Sequence, residues 1–264
     1  MGHQRIGTLP ATRRWAEVVA LLSGGAAAPD IASAIARATN SDIERIKRSE
    51  TLRLVMQLMV ALPLAARTRD FVTAAGEMGV EVAGPLEPLS IFSALSERLD
   101  RQVMADRDTS DVPELLRKAL VEGFMAALPP ARNGLFGDFY SADECQARVA
   151  SLAAPGGFSK LVTAVFGRLI ELHHSHYVGR VLGDDAVLGS RTQSIRDHSG
   201  FDRALADHSR ETTTIIEEYA VGWYGKAFRD NALNDVRRQR EFSNYALDKL
   251  HSELKVRSLE TADG

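Results

Sequence analysis

Cysteine is almost missing from this 264-residue chain. Cys145 is the only one, so neither an intrachain disulfide nor a cysteine zinc cluster can form. Aromatic residues are scarce at 6%, and no aromatic-rich RNA-binding signature, zinc finger or helix-turn-helix pattern occurs. No apolar run is long enough to cross a bilayer, and the opening MGHQRIGTLPATRRW lacks the oily centre of a secretion signal. A cytosolic location without membrane contact is the expectation. A lipidation reading of Gly2 fails at Ile6, where that signal calls for Ser or Thr. Excess positive charge is also lacking. The formal net charge is −3, so a continuous electropositive surface that holds nucleic acid by counterion release is not expected. Lysine is rare, 6 against 26 arginines, which reads as the coding bias of a G+C-rich bacterial genome.

Strand-like alternation is nearly absent as well; what is present is helical spacing from end to end. The expected fold is an all-α multi-helix bundle of about nine helices. Thr12 caps a first helix striped by Trp15, Val18, Val19 and Leu22, and Gly24 ends it. Pro29 suits the first turn of the next. SDIE, Ser41 to Glu44, has capping-box spacing and predicts a helix that runs until Pro63 interrupts it near Leu62. A helix carrying Phe71 should stop at Gly79, and VEVAGPLEPL is a linker. Asp111 caps a helix with Pro113 in its first turn. SADE, Ser141 to Glu144, is a second capping box. Two long C-terminal helices, roughly 199–227 and 231–257, are expected to pack as an antiparallel pair. The seam of the first is Phe201, Leu205, His208, Thr212, Ile215, Tyr219 and Trp223. PPARNGLFGDFY, Pro129 to Tyr140, separates an N-terminal helical region with a basic arm, 1–130, from a C-terminal helical region, 131–264, the two forming one domain or a pair.

Three of the seven histidines fall in ELHHSHYVGR, Glu171 to Arg180. Glu171 and His174 have the Glu-x-x-His spacing of di-iron bundles, but projection at about 100° per residue puts them on the polar face, and no second copy exists. His173 and His176 share the apolar side, close enough for one divalent metal whose further ligands would come from Asp184, Asp185, His198 and His208. Against that stands a plain helix ending at Gly179, its imidazoles near the negative C-terminal end. The plain reading is favoured, because two helical histidines are not a full ligand set.

APGGFSK lacks the spacing of a phosphate loop, and the adjacent Asp184 and Asp185 lack the alternating oxygen ligands of a calcium loop. No Ser or Cys sits in a nucleophile elbow, and Cys145 falls inside an amphipathic helix. Glu217 and Glu218 diverge by about 100° on a helix and read as a solvated face. Two basic features could meet phosphates: Arg5, Arg13 and Arg14 at the N-terminus, and Arg237, Arg238 and Arg240 among Asp230, Asp235 and Glu241. Phe136, Phe139 and Tyr140 are candidates for partner contact.

With no complete catalytic constellation, the sequence points to a non-catalytic helical interaction protein, a subunit or adaptor of a larger bacterial cytosolic assembly. Its expected partners are other protein subunits, with self-association through the C-terminal helices, and no cofactor is required. One alternative is a metal-dependent hydrolase built on His173 and His176. The other is a nucleic-acid accessory factor of a genome-maintenance or defence system.

Overall fold

The computed structural model describes residues 12–108, 110–128, 141–182, 207 and 211–260. The described residues form eleven α-helices and one 3-10 turn, with no strand. The all-α expectation holds and the count of nine falls short. Part of the difference lies at Ser49. The segment expected as one helix is two, α3 (Asn40–Arg48) and α4 (Glu50–Ala65), because Ser49 turns extended and its hydroxyl accepts from the Thr51 amide, capping α4. Ser41 instead lies inside α3, and Pro63 sits within the last turn of α4.

Other local signals act as written. Pro29 opens α2 (Ala28–Ala38), after α1 (Arg13–Ser23). Asp70 caps α5 (Phe71–Glu77), and Gly79 then takes a positive φ of 75°, a backbone state that lacks a steric penalty only without a Cβ. Helix α6 (Pro88–Ala105) follows, then α7 (Val112–Ala127). In α8 (Ala142–Ser151) the capping box is complete: Ser141 Oγ accepts from the Glu144 amide at 3.2 Å, and the Glu144 carboxylate accepts from the Ser141 amide at 3.1 Å.

Helix α9 (Pro155–Leu182) is the axis of the molecule. It begins at Pro155, passes through Gly179 and is apolar on several sides because neighbours clasp it along its length: α7, the 3-10 turn Thr213–Ile216, α10 (Glu217–Arg229), α4 and α2. The closest crossing is with α7, where a Cβ on Gly123 would lie 2.5 Å from Val165 Cγ2 and 2.8 Å from its Cα. Only glycine admits that approach. One apolar core runs from Ala36 to Leu254 and draws on both sides of position 130; a smaller cluster that includes Trp15, Val18, Ile31 and Ile35 joins α1 to α2.

The C-terminal pair differs in part from the expectation. Helix α11 (Val236–Glu260) lays its backbone beside α2, α3 and α4, whereas α10 packs on α9. The two meet through side-chain rings along their lengths, Tyr219 against Phe242 and Tyr245 at 5.2 and 4.3 Å and Trp223 against Phe242 at 4.7 Å. The expected seam also shifts. Ile216, Ala220, Tyr224 and Ala227 are buried, while Ile215 is exposed and Tyr219 and Trp223 are half-buried. The cause is the 3-10 turn, whose three residues per turn rotate the register ahead of α10. The part of the expected helix before it, at Phe201, Leu205 and His208, lies outside the described residues.

Candidate functional site

A concavity of about 1100 Å³ follows a face of α9 that is left open among the described residues. Gly156, Thr163, Ala164 and Gly167 make its small-residue floor, and Lys160, Arg168 and Glu171, three or four residues apart on the same helix, edge it. Glu122, Ala126 and Ala127 of α7 form one wall; Glu217, Glu218, Val221 and Gly222 of α10 form the other. Local bonding fixes the walls. Ser159 Oγ donates to the Glu217 carbonyl at 3.0 Å, tying the start of α10 to α9. Thr213 packs on Gly167, where a Cβ would come within 3.2 Å of Thr213 Cγ2.

The floor is small and apolar, and the rim is charged. Arg168 donates to both Glu122 and Glu171, bridging α7 to α9. Glu217 and Glu218 stand in the first turn of α10, where carboxylates complement the positive end of a helix, and neither makes an ion pair among the described residues. Four carboxylates thus face two cations, Lys160 and Arg168. Gly222 is notable for what is not near it: a Cβ there would meet nothing within 4 Å, unlike those at Gly123, Gly157 and Gly167.

The histidine segment forms a second, smaller site. His173 is 3% and His174 1% exposed, so His174 is not on a polar face as the projection had it. Nor do the imidazoles sit at a helix end, since α9 continues to Leu182. His173 Nε2 lies 3.6 Å from Asp42 Oδ2, in ion-pair range, and the Tyr177 hydroxyl donates to the same oxygen. His176 Nε2 lies 3.1 Å from Asp111 Oδ2, so the carboxylate expected to cap α7 is turned to histidine instead. Burial raises the Asp42 pKa, but the contacts from His173 and Tyr177 and the charges of His173 and Arg45 outweigh it and leave the carboxyl below its usual range. These groups line a cleft of about 220 Å³ with Ser110, Val112 and Leu115.

Asp42 and Asp111 were not among the sequence candidates; the four that were, Asp184, Asp185, His198 and His208, lie outside the described residues. Among the described residues no group of three or more His, Cys, Asp or Glu side chains is arranged to hold a metal ion. Nearby, His251 Nε2 donates to Asn40 Oδ1 at 3.1 Å, and Lys255 Nζ donates to the same oxygen at 2.8 Å. Burial, with Lys255 and His173 adding to it, pushes the His251 pKa down to about 4.

The basic candidates are dispersed. Arg14 donates to the Arg37 carbonyl at 3.1 Å, Arg237 pairs with Glu241 at 3.0 Å and Arg238 with Asp230 at 2.7 Å. Arg13 and Arg240 are exposed on separate helices. Arg5, Phe136, Phe139 and Tyr140 lie outside the described residues. Cys145 is buried and its thiol is pushed up to about 11 by desolvation, which keeps it protonated and unreactive at neutral pH. No single described helix is long and apolar enough to cross a membrane.

No protein-family model matches this chain, and neither the curated proteins nor the solved structures contain a significant match to it.

Proposed function

We propose that this chain is a non-catalytic helical interaction protein, a subunit or adaptor, and that its partner docks in the groove between α7, α9 and α10. The observation that carries the reading is the groove itself, an open trough of about 1100 Å³ with an apolar, small-residue floor and a charged rim. Buried apolar centre and polar margin are the anatomy of protein interfaces.

Affinity purification from the native host, with wild type and Gly222→Trp compared, tests this. A Cβ at Gly222 meets nothing within 4 Å, so the larger side chain is expected to project from the groove wall, and a stoichiometric partner should accompany wild type and be lost from the variant. A partner set indifferent to Gly222→Trp, or none at all, would overturn the proposal.

The two alternatives have less support. For a metal-dependent hydrolase, His173 and His176 each already face a carboxylate from a different helix, which suits fold cohesion as well as chemistry. Stoichiometric zinc, manganese or iron lost on His176→Ala would favour it. For a nucleic-acid factor, two of the three arginines on α11 are neutralised by acids on the same surface.

A further inference from the structure

We infer that the occupant of the groove is an amphipathic helix of a partner protein, with an apolar stripe flanked by lysine or arginine. The inference rests on the docking reading above and specifies its partner. Size comes first. The α9 lining runs from Gly156 to Glu171, fifteen steps of about 1.5 Å, hence about 22 Å. That length accommodates about four turns of helix, and because the trough of about 1100 Å³ is open on one side, a helix seated in it keeps one face in water.

Backbone chemistry excludes the other common peptide shape. An extended segment must find partners for its amides and carbonyls, usually at a sheet edge. The walls here are three α-helices whose mid-helix backbone groups are satisfied internally, and no strand occurs among the described residues. A helix brings its own hydrogen bonds. The exposed backbone at Gly222, with nothing within 4 Å of a Cβ, lets such a helix approach α10 closely. A glycine inside a helix costs about 1 kcal/mol relative to alanine, and no contact within the chain offsets that here.

Charge then selects the flanks. Four rim carboxylates outnumber the two cations, and among the described residues Glu217 and Glu218 have no ion-pair partner. An acidic helix or a phosphate backbone would be repelled, as would a second copy of the same acidic groove. Basic flanks would be drawn in.

A display library of 18-residue peptides tests the assignment, with a fixed Leu/Ala stripe and flanks randomised between Lys and Glu, selected against the full chain. Lysine should be enriched about tenfold over glutamate at the flanks. In fluorescence anisotropy the selected peptides should bind Gly222→Trp about tenfold more weakly. They should bind Gly225→Trp as they bind wild type, because Gly225 is equally open but does not line the groove. Replacing Glu217 and Glu218 together by Gln should erase most of the lysine preference. Circular dichroism melts of the three variants establish that each is folded. Glutamate enrichment, no enrichment, binding that survives Gly222→Trp, or a dimer in sedimentation equilibrium that Gly222→Trp abolishes would each overturn it. If a native partner is lost with Gly222→Trp but engages through an acidic or non-helical segment, only this inference falls and the docking reading stands.

Discussion

On one side of α9, Gly123 draws α7 so near that an added methyl group would strike the Val165 backbone; across the groove, the same group added at Gly222 of α10 would meet only solvent. The residue type is shared and the physics is opposite. At Gly123 the missing side chain is filled by a neighbour, and the contact supports the fold. At Gly222 the space is empty, and nothing in the fold requires it. Glycine in a helix therefore reports close approach at one site and availability at the other.

The sharpest way to break that contrast is to place the same side chain at both positions. Gly123→Val should destabilise by about 3 kcal/mol or more, since α7 and α9 must separate. For a chain of this size that lowers the melting temperature by roughly 6–12 °C. Gly222→Val should leave the melt unchanged or raise it slightly, because valine is a better helix former than glycine. Equal losses at the two sites in thermal denaturation would dissolve the distinction.

A second contrast opposes the open groove to the closed polar cluster at the far end of α9, where stability should depend on pH. His251 has an ordinary pKa of 6.5 and a folded value of about 4. Its contribution is therefore present above 6.5 and lost as pH falls from there toward 4, because the unfolded chain binds the proton first. The gap corresponds to about 3 kcal/mol. Asp42, depressed in its turn, adds a loss at still lower pH as it takes up a proton. Urea midpoints at pH 7 and pH 4.5 should fall far more for wild type than for His251→Gln. An identical fall in both would show that His251 is not the group that titrates.

The smallest effect separates the two histidine–carboxylate pairs. Asp42 is mostly buried and Asp111 mostly exposed, their side chains 17% and 57% accessible. Asp42→Asn should cost about 1–3 kcal/mol through the contacts of His173 and Tyr177. Asp111→Asn should cost under about 1 kcal/mol, as solvent already screens that pair. Chemical denaturation of both variants checks the order.

Local chemistry made much of the fold legible before any coordinates. The Ser141–Glu144 capping box, Pro29 and Gly79 act within four residues of themselves, so the sequence window contains their whole cause. The break at Ser49 was hidden because SDIE upstream offers an equally good start, and only burial of Ile43 and Leu52 on differently directed helices decides between them. The 3-10 turn before α10 was hidden for a related reason: Thr213 is drawn toward Gly167, a tertiary contact that overrides helical spacing. For the sites, the pairing of His173 with His176 on one side was visible, but Asp42 stands 135 positions from Tyr177, and nothing local announces that meeting. The groove was the least legible feature of all. It is defined by the stripe of α9 that α7 and α10 leave bare, and a bare face has the same residues whether or not something covers it.

Helix α11 also sets a timetable. It closes against α2, α3 and α4, with His251 and Lys255 both reaching Asn40, 211 and 215 positions earlier. On a ribosome moving at about 5–20 residues per second, α4 is finished some ten to thirty seconds before α11 begins. For that interval Leu52 and Met56 wait for the start of α11, where Val236, Gln239 and Ser243 lie beside them in the folded chain.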